Sequence, residues 1–269
     1  MKYTNYSQFH KNVIAYGIEY ALEHTARLGF DSVEFLSLSS CSSYTSNASV
    51  LLRAYGIGAA CYSVAASLFD DPQKAEKALL SHADIAAELG SPYLHHTLLP
   101  KLSLSADDPS YSDVLPSVVR VAERVANYCD TLGIVCLYEP QGMYFNGKGL
   151  EDFFFEMQKR CSNVGICGDV GNSFFVDYSP SLIFKNLAPY IKHVHIKDYA
   201  FSKTEAQRPE YTSRGGKRFF DTEIGTGDVD FRYCLDRLKE SGYSGAFSFE
   251  ISGTDAYLAS AVDYIKGLL

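Results

Sequence analysis

An eight-stranded parallel α/β barrel (a single (β/α)8, or TIM, barrel over residues 1–269) is the fold this chain predicts, and three observations carry the prediction. Short apolar runs rich in strand-forming residues alternate with amphipathic helical stretches along most of the 269 residues, the order of a parallel sheet with right-handed crossovers. The runs are evenly paced: the last residue of one, Glu139, lies 30 residues before the next, Asp169, which lies 26 before His195, about one strand-plus-helix unit each. No G-x-G-x-x-G turn follows any run, which favours a closed barrel over an open dinucleotide-binding sheet.

Each element has its local reason. The first strand is expected at 11–15 (KNVIA). Residues 17–28 carry an amphipathic helical pattern closed by Gly29 in the C-cap role. A strand at 32–36 (SVEFL), a helix at 48–55 ended by Gly56, and a strand in IGAACYSVA follow. Pro72 opens a helix to Leu89, with Asp70 or Asp71 as N-cap and Gly90 as stop. The fourth strand lies in SPYLHHTLLP. Helices are then expected at 113–132, 149–161, 179–188, 231–241 and 255–268. Between them come strands ending at Glu139, Asp169 and, in IKHVHIKD, around His195, with AFSFEIS as the eighth. The gap of 55 residues from His195 to Glu250 is one such unit carrying a long loop.

Composition narrows the functional classes. With 46% hydrophobic and 21% charged residues the chain is ordinary for a soluble globular protein. A net charge of −8 opposes a nucleic-acid partner or an anionic membrane surface. No stretch approaches the roughly 20 apolar residues that span a bilayer, and the first residues lack a basic flank and apolar core, so no secretory signal is expected. Seven scattered cysteines without a C-x-x-C pair speak against a disulfide framework or cysteine zinc site and for a cytoplasmic location.

The chemistry is expected at four strand ends: Glu139 in IVCLYEP, Asp169 in VGICGD, His195 in HVHIKD and Glu250 in AFSFEIS. Side chains alternate along a strand, so Leu137 and Glu139 share a face, as do Cys167 and Asp169, His193, His195 and Lys197, and Ser248 and Glu250. The carboxyl ends of barrel strands are where these folds carry their sites. Three buried carboxylates without a counter-cation are too costly to keep ionised, and three carboxylates with one imidazole form a hard, oxygen-rich shell. One divalent ion is therefore expected, Mn²⁺ first, with Mg²⁺, Co²⁺ or Zn²⁺ as alternatives.

At these motifs the chain resembles the xylose-isomerase-like TIM-barrel superfamily of sugar and sugar-phosphate isomerases and epimerases, including the D-tagatose 3-epimerase and L-ribulose-5-phosphate 3-epimerase groups. The matching pieces are DSVEF, YEP with Glu139, GDVGNSF with Asp169, HVHIKD with His195, IGTGDVDF and FEIS with Glu250. The resemblance implies that Glu139, Asp169, His195 and Glu250 hold one ion and that Glu139 and Glu250 form an acid/base pair. It implies a route as well: the ion polarises a ketose carbonyl, one glutamate removes the α proton to give an enediolate, and the other returns a proton from the opposite face. Relatives often form homodimers or homotetramers. Two positions depart from the free-ketose epimerases: Asn172 stands where they have His, closer to the D-x-G-N pattern of the L-ribulose-5-phosphate group, and Phe201 stands where they have Arg. Inosose-dehydratase-like lyase chemistry shares the first proton abstraction and is the alternative reading. Endonuclease IV-like hydrolysis would want several zinc ions, more histidine ligands and a basic surface, and a non-catalytic sugar-binding barrel would not need an intact metal site.

Further candidates face a small sugar or sugar phosphate. Asn172 is a candidate substrate contact. Glu34 either meets a sugar hydroxyl at the barrel floor or is a buried carboxylate bonded to a neighbouring Lys or Tyr. Lys197 either reaches a substrate oxygen or makes a rim salt bridge. Of His95 and His96 one faces inward, and His96 is taken as the substrate contact; a second metal there is the other reading. The long loop after His195 reads as a lid on the active face. It carries Arg208, Arg214, Lys217 and Arg218 around Gly215 and Gly216, a phosphate grip or a solvated basic loop. The Ser-rich stretch at 37–46 reads as a flexible loop on that face, and the GTGD turn at 225–228 lacks the length and lysine of a P-loop.

Overall fold

The computed structural model describes residues 2–37, 45–203 and 210–269. Eight parallel strands close a barrel: β1 (Lys2–Asn5), β2 (Ser32–Ser37), β3 (Gly58–Val64), β4 (Tyr93–His96), β5 (Val135–Tyr138), β6 (Val164–Asp169), β7 (Ile191–Ile196) and β11 (Ala246–Phe249). Each strand pairs with its neighbour in sequence, and β1 closes the ring between β2 and β11. The helices between them are α1 (Ser7–Tyr16), α2 (Ile18–Arg27), α3 (Thr45–Tyr55), α4 (Pro72–Leu89), α5 (Tyr111–Thr131), α6 (Lys148–Gln158), α7 (Pro180–Leu187), α8 (Phe231–Glu240) and α9 (Asp255–Leu268).

Local signals set several of these bounds. The Asp71 carboxylate accepts from the Lys74 N–H to cap α4, Pro72 sits in its first turn, and Gly90 ends it at φ 71°. Thr254 caps α9 and Asp230 caps α8 in the same way.

The start of the chain corrects the expected first strand. Residues 11–15 lie in α1, and the strand is Lys2–Asn5. Phe9 and Val13, one turn apart, bury their side chains from a helix, so the KNVIA run serves a 3.6-residue period rather than an alternating one. The four residues of β1 owe their strand state to pairing with β2 and β11.

Two layers of packing result. Between barrel and helices lies a mainly apolar layer that includes Phe9, Phe35, Phe153, Phe184 and Phe247, all fully buried. Inside the barrel the filling is different. Cys61, Leu137 and Cys167 form a small apolar group, and above it Glu34, Ser63, His193, His195 and Ser248 are buried with almost no exposure. A parallel barrel is normally packed with branched apolar side chains, so this polar interior marks where the site is. The six described cysteines are buried free thiols; Cys41 lies outside the described residues.

The loop expected to act as a lid is ordered where it is described. Strands β8 (Tyr199–Phe201), β9 (Tyr211–Thr212) and β10 (Arg218–Asp221) form an antiparallel sheet of order β8-β10-β9. Its Phe219 is fully buried and packs edge-on against Phe175, 4.9 Å between ring centroids. Arg208 lies outside the described residues, as does most of the Ser-rich stretch at 37–46. The excursion is anchored to the barrel by Asp198, whose carboxylate accepts from the N–H groups of Gly225 and Gly227, each at 2.9 Å. A Cβ on Gly227 would collide with that carboxylate and with the Tyr199 carbonyl. Gly227→Ala is therefore expected to destabilise the protein by about 1–3 kcal/mol, read as a lower urea midpoint; an unchanged midpoint would contradict this anchoring role.

Candidate metal centre and active site

The site is built from the barrel floor upward. Glu34 on β2 is completely buried. Its Oε1 accepts from Ser63 Oγ at 2.5 Å and from His195 Nε2 at 3.0 Å, and its Oε2 accepts from Ser248 Oγ at 2.5 Å and His193 Nε2 at 2.7 Å. Burial pushes its pKa up, but the neighbouring His195 and His193 outweigh that and hold the carboxyl well below the usual range. A carboxylate offers about four lone-pair sites, and here four donors fill them. This corrects the expectation of a sugar contact: Glu34 has no acceptor left for a hydroxyl, and its partners are His and Ser rather than Lys or Tyr.

Its consequence lies one layer higher. A carboxylate at Nε2 fixes the proton of a neutral His195 on that nitrogen and leaves the Nδ1 lone pair facing the other way. Nδ1 looks into a group of carboxylates: Glu139 Oε1 at 3.0 Å, Glu250 Oε2 at 3.3 Å and Asp169 Oδ2 at 4.0 Å. One ligand atom from each of Glu139, Asp169, His195 and Glu250 lies within 4.8 Å of the others. Register explains the convergence: Asp169 sits beside His195 across β6–β7, and His195 beside Ser248 across β7–β11, with Glu250 two residues on. The structure thus brings the four strand-end residues together.

The donor set suits a divalent cation. Asp169 Oδ1 accepts from the N–H groups of Gly171 and Asn172, at 2.8 and 2.6 Å. That turn leaves Oδ2 free of backbone donors, and like Glu250 Oε2 it is buried with a charged side chain against it. Burial raises the Asp169 carboxyl to about 6 against the pull of Lys197. The Lys197 ammonium lies 3.0 Å from Asp169 Oδ2 and 2.5 Å from Glu250 Oε2. Two buried carboxylate oxygens aimed at one point, with an imidazole lone pair beside them, are the arrangement hard cations take.

Asn172 and Lys197 complete the inner ring. The Asn172 amide donates to Glu139 Oε1 at 3.0 Å and its carbonyl accepts from Lys197 at 3.2 Å, so the side chain joins Glu139 to Lys197. Lys197 is buried, not a rim residue, and it lines the cleft.

Strand β4 resolves the histidine pair against the expectation. His95, not His96, faces inward, with Nε2 3.2 Å from Glu139 Oε2 and Nδ1 2.9 Å from Ser63 Oγ. His96 turns to the helical side, edge-on to Tyr138, which packs in turn on Phe153 of α6. A substrate contact by His96 is excluded by that direction. Two adjacent histidines gave no clue to the phase of the strand; the pairing of His95 with Leu137 on β5 sets it. Tyr6, in the turn after β1, was also missed. Its ring stacks on His195, 5.3 Å between centroids, and it stands where the misplaced first strand hid it.

The basic loop does not assemble a phosphate grip among the described residues. The Arg214 guanidinium donates to the Met143 carbonyl. Lys217 lies 3.4 Å from Asp177 Oδ1, and Arg218 sits exposed on β10. None of the three lines the cleft onto which Glu250 of the quartet opens, a cavity of about 660 Å³ whose walls include Lys197, Asp221, Glu223, Ser252 and Tyr257.

Comparison with known proteins agrees with this architecture. A family model described as a xylose isomerase-like TIM barrel matches residues 22–268. An inosose dehydratase of Lacticaseibacillus casei is 24% identical over 188 residues, covering 64% of this chain and 61% of that protein; the chain spans about three-fifths of that relative's length. A D-allulose 3-epimerase from Methylomonas sp., solved in complex with D-allulose, superposes with a TM-score of 0.77 at 18% identity, covering 100% of this chain and 97% of that one. A xylose isomerase-like TIM barrel protein from Mycobacterium smegmatis, in complex with magnesium, gives 0.74 at 18% identity, covering 99% and 96%. At such identities the structural likenesses show the fold. No described helix is long and apolar enough to cross a membrane.

Proposed function

Because this chain belongs to the xylose isomerase-like TIM barrel family, we propose that it is a divalent-metal-dependent isomerase or epimerase of a small ketose or ketose phosphate. The observation that carries the reading is the quartet Glu139, Asp169, His195 and Glu250 with its ligand atoms within 4.8 Å of one another at the barrel mouth. These four residues would hold the ion, Mn²⁺ by preference for a mainly oxygen shell. When bound it would supply Lewis-acid polarisation of the substrate carbonyl.

The two glutamates differ in a way that suits an acid/base pair. Glu250 is 31% exposed at its side chain and opens onto the cleft, so it can meet the proton on the carbon beside the carbonyl. Glu139 is held from behind by His95, His195 and Asn172, which fix its carboxylate for proton transfer at the other face. Asn172 orients Glu139, and Lys197 would offer its ammonium to a substrate oxygen. Abstraction by one glutamate gives an enediolate; return of a proton by the other gives the epimer or isomer.

A lyase of the inosose dehydratase kind is the second reading, favoured by the L. casei relative. The first abstraction is common to both, and the exits differ by loss of a β hydroxyl. Incubation of the Mn²⁺-loaded protein with ketoses, ketose phosphates and inososes in D₂O separates them: α-deuterium without loss of mass supports the isomerase, and loss of water supports the lyase. Metal analysis is expected to find one ion per chain. No exchange with any substrate, or three zinc ions per chain, would defeat the proposal.

A further inference from the structure

We propose that the cleft is built for an unphosphorylated polyhydroxy ketone and disfavours its phosphate esters; this rests on the enediolate reading above. The acids lining the cleft are Asp198, Asp221, Glu223 and Glu250, and among the described residues Lys197 is the one cation on its walls. Lys197 stands among Asp169, Glu250 and Asn172, beside the reacting end of the sugar rather than its far end. Asp221 and Glu223 are exposed at the mouth, where the far end of a ketose held at the quartet would lie. A phosphate monoester carries about −1.5 to −2 charges at neutral pH and would meet this rim with like charge.

The remaining wall groups suit a neutral polyol. Ser7, Thr222, Ser252 and Tyr257 offer hydroxyls, and carboxylates such as Glu223 accept hydrogen bonds from sugar hydroxyls. The basic turn that could have gripped a phosphate is closed upon a carboxylate of the chain itself. Asp177 Oδ2 accepts from the Gly215 N–H at 2.6 Å, and its Oδ1 from Ser213 Oγ at 2.8 Å, with Lys217 at 3.4 Å. Lys217 also sits over the Phe201 ring, 5.9 Å from its centroid. Arg214 lines a different cavity, with Tyr111, Met143 and Tyr178. Asp177 thus already fills the place of an anion.

The test is a pairwise titration of the Mn²⁺-loaded protein with free ketoses and inososes and with the terminal phosphate ester of each ketose, by calorimetry and α-proton exchange in D₂O. For a ketose that exchanges, the ester is expected to bind at least about tenfold more weakly, and Glu223→Lys to shift the ester-to-sugar affinity ratio about tenfold toward the ester. An ester that binds as tightly as its parent sugar, or a ratio unmoved by Glu223→Lys, would overturn this inference while leaving the isomerase reading intact. If neither form of any sugar exchanges deuterium, the parent reading falls and this inference with it.

Discussion

Glu250→Gln is expected to slow α-proton exchange by about 10²- to 10⁴-fold, the usual contribution of a positioned acid or base, or about 3–5 kcal/mol of barrier. The amide keeps the shape of the side chain and cannot take a proton. Its surroundings tolerate the change: Glu250 follows the last residue of β11, is partly exposed, and its ion pairs among the described residues are with Lys197 and His195 through Oε2. The thermal midpoint should therefore move little. Glu139→Gln should give a similar kinetic loss with a clear fall in Mn²⁺ affinity, because Glu139 is buried among His95, His195 and Asn172. Exchange is measured by NMR in D₂O at saturating Mn²⁺, with the metal content of each variant determined alongside. If both variants exchange within tenfold of the parent protein, these two residues are not the acid and base.

The second large effect is expected from a residue that never touches substrate. Glu34→Gln should weaken Mn²⁺ binding by about 10- to 100-fold, as loss of the partner behind a ligating histidine does, and lower stability by about 3–5 kcal/mol, as breaking a buried charged network does. An amide has one acceptor and one donor end, yet Ser63, Ser248, His193 and His195 all donate to Glu34. At least one must reverse its role or go unpaired. If His195 reverses, its proton moves to Nδ1 and the lone pair facing Glu139, Asp169 and Glu250 is lost. Calorimetric titration with Mn²⁺ and urea unfolding read the two effects separately. A folded variant with Mn²⁺ affinity within twofold of the parent would show that Glu34 does not orient His195.

Helix α4 begins and ends where its sequence signals say, because Asp71, Pro72 and Gly90 act on residues at most four positions away. The first strand was misread because β1 has no signal of its own: its four residues are defined by partners on β2 and β11. The antiparallel sheet within the long excursion was equally invisible, since its order depends on aromatic rings from Phe174 and Phe175 beneath it. Arg214 and Lys217 looked free in sequence because Met143 and Asp177, which engage them, lie 71 and 40 residues away.

The amino-acid sequence by itself determined the barrel and the four strand-end groups Glu139, Asp169, His195 and Glu250, since alternation along a strand and the pace of strand and helix are short-range properties. Only the tertiary structure decided what stands behind and beside them. Glu34 reaches His195 across 161 residues, His95 rather than His96 turns inward, and Asp177 closes the basic turn. Each depends on the register and phase of segments distant along the chain, and those are set by the closure of the barrel rather than by any residue's immediate neighbours.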